Sequence, residues 1–184
     1  MSMRFTRGMW LPFKSGDAHV LIQSQTVGAG GAASITFSSI PSTYRALQLR
    51  GISVSSTFNS GRLTFNGDTA TANYASHELH GDGAAASSVA YTSGSLVGIL
   101  FPGYSGMGRS TTTPTAFVMD VLDYASTSKN KTIRALSGGD NNGTGDVELD
   151  SGVWLSTAAV TSFTITIASG TIAQNSTFSL YGVN

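Results

Sequence analysis

Short runs of alternating apolar and polar residues constrain the fold of this chain more than any other feature. Residues 163–167 read Phe-Thr-Ile-Thr-Ile, and residues 178–183 read Phe-Ser-Leu-Tyr-Gly-Val. A period of two sends successive side chains to opposite faces of a strand, so that one face can contact a core. We therefore predict that both segments are β-strands within sheets. The side chains predicted to lie inside are Phe163, Ile165, Phe178 and Leu180.

Similar runs recur throughout residues 18–155, and turn-forming residues separate them. Segments 62–65 and 73–80 flank Asn66-Gly67-Asp68, and Asn-Gly between two strand patterns predicts a hairpin. In segment 44–55 the apolar phase changes after Leu49, which predicts a β-bulge at Arg50-Gly51. Long loops are expected at 102–114 and 138–145.

The count of such runs, about nine to eleven, and the absence of a helical period predict an all-β protein. We expect an antiparallel two-sheet sandwich, jelly-roll-like, formed by residues 18–184. The 184 residues suffice for one such domain. The chain has no cysteine, which excludes disulfides and thiolate chemistry. Its net charge of zero, with 11% charged residues, disfavours a nucleic-acid surface, and no apolar run is long enough to span a bilayer.

Residues 1–17 differ from the rest and are predicted to form an extended N-terminal arm. The segment has no strand or helix period, is interrupted by glycine and proline, and lacks the continuous apolar stretch of a secretory signal. Its aromatic and methionine side chains are of the type that anchors interfaces, and its arginines can pair with carboxylates of a partner. We favour partner docking over a disordered or self-packed terminus. The candidate partner-binding residues are Arg4, Phe5, Arg7, Met9, Trp10 and Phe13.

Two polar motifs invite a metal interpretation. In His77-Glu-Leu-His80 the two histidines would point to opposite faces of a strand, so surface polar residues are the favoured interpretation. Asp146, Glu148 and Asp150 alternate and therefore share one face. They could bind an ion or an arginine of a neighbouring subunit, but a solvated acidic face is favoured.

Catalytic motifs are equally weak. Gly103-Tyr-Ser-Gly106 resembles a nucleophile elbow, but it lacks the final glycine and a following helix. A glycosidase would need paired carboxylates, and strand geometry places Asp120 and Asp123 on opposite faces. We expect no enzyme activity, no catalytic residue, no cofactor and no metal.

Three stretches carry a family resemblance. They are residues 37–44 (Phe-Ser-Ser-Ile-Pro-Ser-Thr-Tyr), residues 63–68 (Leu-Thr-Phe-Asn-Gly-Asp) with 77–83 (His-Glu-Leu-His-Gly-Asp-Gly), and residues 178–183. Over residues 20–184 the chain resembles a loosely defined family of small virion-associated proteins from tailed bacteriophages, including marine and cyanobacterial phages. The resemblance implies a β-rich structural module on the particle and carries no catalytic residues. The arm lies outside it.

The expected function is that of a non-enzymatic bacteriophage virion structural protein, made in the host cytoplasm and located in the virion. A capsid decoration or cement protein, anchored by its arm to the major capsid protein and forming a homotrimer, is favoured. The alternative is a tail fibre or baseplate component, or a receptor-binding tip, partnered with tail proteins. In that case loops 103–113 and 138–145 would contact host glycans. Neither nucleic acid nor membrane is expected as a partner.

Overall fold

A computed structural model describes residues 17–103 and 105–184 of the protein. This part of the chain contains twelve β-strands and one short 3-10 turn, Thr71–Asn73, and none of its helices is long and apolar enough to cross a bilayer. The strands are β1 (His19–Thr26), β2 (Ser34–Phe37), β3 (Ala46–Ser53), β4 (Gly61–Phe65), β5 (Tyr74–Gly81), β6 (Ala86–Tyr91), β7 (Ile99–Leu100), β8 (Thr115–Leu122), β9 (Lys131–Asp140), β10 (Gly145–Trp154), β11 (Phe163–Ile167) and β12 (Thr177–Val183).

The strands form two sheets in which all neighbours pair antiparallel. The larger sheet has the order β1-β12-β3-β8-β9-β10-β5-β6, and the smaller has the order β2-β11-β4-β7. The predicted all-β, two-sheet antiparallel sandwich is therefore confirmed. The chain crosses between the sheets after many of its strands, so neighbours in space are often distant in sequence.

The core lies between the inner faces of the two sheets. Phe163 and Ile165 of β11, and Phe178 and Leu180 of β12, are at most 1% exposed, as the alternation predicts. The two segments belong to different sheets, so they supply both sides of the core. Each buried Phe or Leu side chain contributes roughly 1.5–3 kcal/mol through removal from water.

The predicted hairpin at Asn66-Gly67 is wrong in its pairing. The turn itself is present: both residues have positive φ (50° and 71°), and Asp68 N–H donates to Phe65 O over 2.8 Å. However, the strands on its two sides, β4 and β5, lie in different sheets. The turn therefore carries the chain across the sandwich.

The predicted bulge at Arg50-Gly51 is also wrong. Strand β3 pairs in unbroken register with both β12 and β8. Its inner face continues from Leu49 to Gly51, where the Phe117 ring occupies the space that a side chain would need. Ile52 is 51% exposed on the outer face, so its phase marks a second apolar surface and not a bulge.

The larger sheet is wider than the smaller one, and residues 101–103 and 105–109, called the inner loop here, cover part of its remaining inner face. Phe101, Ser105 and Met107 are fully buried. Gly61 N–H donates to Pro102 O over 2.9 Å, and Met107 N–H donates to Asn59 O over 2.8 Å. Residues 102, 103 and 105–108 of the predicted 102–114 loop thus form a buried layer of the fold.

Candidate functional site

Strand β10 has polar side chains on its inner face and apolar side chains on its outer face. Asp146, Glu148 and Asp150 are at most 9% exposed, whereas Val147 and Leu149 are 59% and 53% exposed. An antiparallel strand with one solvated face ordinarily shows the reverse arrangement. The sequence prediction that the three acidic residues share a face is confirmed, but the expected solvated acidic face is wrong.

The neighbouring strand β5 shows the same inversion. Glu78 and His80 are buried, whereas His77 and Leu79 point to the exposed face. The two histidines lie on opposite faces, as predicted, but Glu78 and His80 are not surface residues. His80 Nε2 lies 2.8 Å from Ser87 Oγ, which is consistent with a hydrogen bond between β5 and β6.

The register of β5 and β10 brings three carboxylates together. Asp150 lies directly opposite Glu78, and Glu148 is the next inward residue of β10. One carboxylate oxygen from each of these three residues lies within 4.8 Å of the other two, and each residue is at most 4% exposed. We call Glu78, Glu148 and Asp150 the carboxylate cluster.

The inner loop closes the cluster from the side of the smaller sheet. Ser105 donates two hydrogen bonds to Glu148 Oε2, from its N–H over 2.8 Å and from its hydroxyl over 2.9 Å. Ser137 Oγ lies 2.6 Å from Ser105 Oγ. Gly103 packs so closely that a Cβ on it would overlap the carboxylates of Glu78 and Glu148. The loop and the cluster therefore form one packed unit.

Burial and mutual repulsion shift the acid–base equilibria of this unit. The pKa of Glu78 is raised to about 7, first by burial and then by the negative charge of Glu148 and a hydrogen bond with it; Arg62 opposes the shift. The pKa of Asp150 is raised to about 10, first by burial and then by Glu148 and Glu78. Placing like charges opposite each other in a sheet destabilises the pair. Full ionisation of the cluster is therefore unfavourable unless a cation binds there. Without a cation, protonation of carboxylates lowers the negative charge.

The fourth acidic residue of this region has a partner within its own chain. Asp146 forms an ion pair with Arg109 at the end of the inner loop, and the side chains are 0% and 15% exposed. The Arg109 guanidinium also lies over the Phe58 ring, 4.8 Å from its centroid. The sequence analysis considered an arginine of a neighbouring subunit as a partner for this acidic face. For Asp146, the partner is Arg109 of the same chain.

The other candidate catalytic residues do not assemble into a site. Ser105 of the elbow-like motif is fully buried, and no helix follows it. Asp120 lies on the outer face, where it accepts hydrogen bonds from Gln48 and Arg134, and Asp123 pairs with Lys129. The two aspartates therefore have separate partners and do not converge.

The structure describes the loops that were predicted to contact partners, but not the candidate residues of the arm. The candidate residues of the arm lie outside the described residues; they are Arg4, Phe5, Arg7, Met9, Trp10 and Phe13. The predicted tip loop 138–145 is shortened to residues 141–144, because β9 and β10 extend into it. The structure brings its tip against the exposed end of the other loop, where Thr113 Oγ1 donates to Asn141 Oδ1 over 3.3 Å.

An exposed apolar surface lies on the opposite side of the strands that carry the cluster. Leu136, Leu149 and Leu79 face one another in a single row across β9, β10 and β5, and Val147 lies beside them. Their exposed fractions are between 45% and 59%. We call these four residues the apolar patch. The patch adjoins a groove whose lining includes Ile52, Ala116 and Gly138.

Sequence reasoning missed both the depth of the cluster and the patch. The signal was present in β10, where acidic and apolar residues alternate perfectly, but alternation is equally compatible with either face pointing inward.

A comparison with known proteins finds no matching family and no match among curated proteins. The class of the protein is a β-sandwich, and its candidate site consists of the carboxylate cluster and the apolar patch on opposite faces of the same strands.

Proposed function

We propose that the protein is a non-enzymatic structural module of a tailed-bacteriophage virion, a capsid decoration protein that associates with copies of itself through the apolar patch and with the capsid through its N-terminal arm. The observation that carries the proposal is the exposed row of leucines across β9, β10 and β5. The resemblance of residues 20–184 to virion-associated proteins supports the choice of particle.

The apolar patch has the character of an interface centre. Contiguous apolar surface on a soluble protein commonly marks an interaction site, and the centres of interfaces are depleted in charge. The partner that we propose for the patch is a second copy of this chain, within a homotrimer. The zero net charge of the chain supports self-association, because copies do not repel one another through a large like charge.

Substitution within the patch tests this association. Leu149→Glu places a charge in the row of leucines and is expected to convert the assembly to a monomer in light scattering coupled to size-exclusion chromatography. The matched control is Leu21→Glu on β1, which is 55% exposed on the same sheet, roughly 24 Å from β10. A monomeric parent chain, or a Leu149→Glu variant that keeps the parental mass, would contradict the proposal.

Truncation tests the arm. A chain that lacks residues 1–14 is expected to fold and to lose binding to purified capsids, because the anchoring side chains are removed. Trp10→Ala in the full-length chain removes one aromatic anchor without shortening the arm, and it should weaken binding. Capsid binding that survives the truncation would overturn the attachment role of the arm.

A tail fibre or baseplate component, or a receptor-binding tip, remains the second candidate. The contact between Thr113 and Asn141 favours it, because two polar loop tips meet at one end of the sandwich and could recognise a host glycan. Copy number separates the candidates. Hundreds of copies per purified particle would support the capsid, and a dozen or fewer would support the tail.

A further inference from the structure

We propose that Glu78, Glu148 and Asp150 bind one divalent metal ion of the Ca²⁺ class between β5, β10 and the inner loop. This site would join two strands of the larger sheet beneath the loop that covers them. The proposal does not depend on the proposed virion function.

The dimensions of the cluster match a single ion. Oxygen ligands lie about 2.3–2.6 Å from Ca²⁺, so two ligands of the same ion are at most about 5 Å apart. The three carboxylates meet this limit, since their ligand atoms lie within 4.8 Å of one another. Three carboxylates can offer up to six oxygens, which is within the range of ligands that Ca²⁺ takes.

The chemistry of the donors narrows the class of metal. All three residues offer carboxylate oxygen, and the chain contains no cysteine. Hard oxygen ligands suit Ca²⁺, Mg²⁺ and Mn²⁺, whereas thiolate and imidazole ligands suit Zn²⁺ and Cu²⁺. The flexible geometry of Ca²⁺ sites is easier to satisfy on two strands than the strict octahedron of Mg²⁺.

Hydrogen bonding provides an independent argument. Asp150 is 4% exposed, and no described residue donates a hydrogen bond to either of its carboxylate oxygens or to Glu78 Oε1. Buried polar atoms in native proteins almost always have a partner, and a missing partner commonly marks an ion or a water. Both side chains contribute a ligand atom to the cluster, so one ion there would give each of them a partner.

The charges around the cluster lead to the same conclusion. Arg109 is already engaged by Asp146, and Arg62 interacts electrostatically with Glu78. One arginine cannot balance the three negative charges of the fully ionised cluster. A divalent cation would neutralise two of the three charges. The competing arrangement is a set of carboxyl groups that share protons without an ion.

Elemental analysis and thermal unfolding distinguish the two arrangements. Full-length protein purified without chelator is expected to contain one divalent ion per chain. After treatment with EDTA, addition of about 5 mM CaCl₂ should raise Tm by about 5 °C or more, with smaller shifts for MgCl₂ and MnCl₂. A chain that contains no ion, and whose Tm is the same in EDTA and in each salt, would overturn the proposal in favour of shared protons.

Neutral variants locate the response. Asp150→Asn and Glu78→Gln are close in shape to the parent residues and should fold in EDTA, but their Tm should not respond to CaCl₂. Asp120→Asn, which removes a carboxylate from the outer face, should respond like the parent chain. If either neutral variant keeps the full calcium shift, the ion binds elsewhere and the assignment is wrong. Calcium titration of the parent chain by calorimetry gives a readout that does not depend on the variants.

Discussion

Asp68 connects the turn after β4 to the body of the sandwich. Its carboxylate accepts hydrogen bonds from Trp154 Nε1–H and from the Asn73 side-chain amide, each over 2.7 Å, and from the Ala70 N–H over 2.9 Å. The hydrogen bond from Trp154 is the main cause of the lowered pKa of Asp68. The sequence predicts Asp68 to be part of a hairpin turn. In the structure its hydrogen bonds stabilise the connection between the two sheets.

Replacing Asp68 should destabilise the fold. Asp68→Ala leaves the buried Trp154 N–H without an acceptor and should lower the free energy of unfolding by about 1–3 kcal/mol. Asp68→Asn keeps an acceptor oxygen and should cost less. Urea denaturation at neutral pH measures both variants, and equal losses would show that the hydrogen bond to Trp154 is unimportant.

The charge of Asp68 should also appear in the pH dependence of stability. Because its folded-state pKa is lowered, its contribution is present above its unfolded pKa of about 4 and is lost as the pH falls through the folded value. Between pH 5 and pH 2 the parent chain should therefore lose more stability than Asp68→Asn. Parallel acid profiles of the two proteins would contradict this account.

Gly61 shows how closely the inner loop approaches β4. A Cβ on Gly61 would overlap the backbone carbonyl of Phe101 and approach the Met107 sulfur. Gly61→Ala should therefore lower stability by about 1–3 kcal/mol, because a backbone atom cannot move aside. Gly28→Ala is the control, since nothing lies within 4 Å of the added carbon, and its stability should be unchanged or slightly higher. Equal stability of both variants by urea denaturation would show that the loop is not held at this distance.

At the scale of elements, the change of apolar phase in β3 has two possible explanations: a β-bulge, or a second apolar face on an unbroken strand. Leu49 is fully buried, whereas Ile52 is 51% exposed on the other face of an unbroken strand. Leu49→Ala should therefore cost about 2–5 kcal/mol, and Ile52→Ala about 1 kcal/mol or less, in the free energy of unfolding. Large and similar losses from both substitutions would favour the bulge, because a bulge would turn both side chains into the core.

Strand β10 shows why the face that points inward could not be predicted from the sequence alone. Its acidic and apolar residues alternate, and the usual rule directs Val147 and Leu149 to the core. In the fold the carboxylates face inward because the inner loop supplies the donors Ser105 and Arg109 to that side, and the neighbouring strand β9 supplies Ser137. These donors lie outside β10, so they cannot be predicted from the residues of that strand.

At the scale of the whole molecule, residues from 17 onward supply twelve strands and a core enclosed between two sheets. A chain without residues 1–16 should therefore keep a β-rich circular dichroism spectrum and a Tm within a few degrees of the parent value. A broad, non-cooperative transition would show instead that the arm is part of the folding unit.

At the scale of the whole molecule, the proposed metal site and the proposed self-association surface lie on opposite faces of the larger sheet. The carboxylate cluster and the apolar patch belong to the same strands, β5 and β10, and β9 contributes to the patch. An ion bound on the inner face would hold the strands that present the leucines on the outer face. Removal of the ion would then weaken self-association as well as stability.

Local sequence patterns are sufficient to define the class of the fold, most of the strand positions and the shared face of the acidic residues in β10. Alternation and turn residues encode these features, because they depend on neighbours within a few positions. Contacts between distant segments are needed to establish which sheet each strand joins and which face it buries. It was also the tertiary structure that placed Glu78 opposite Asp150 beneath the inner loop. Those outcomes depend on what lies across each strand, and the free energy of burial is set by contacts between segments far apart in the chain.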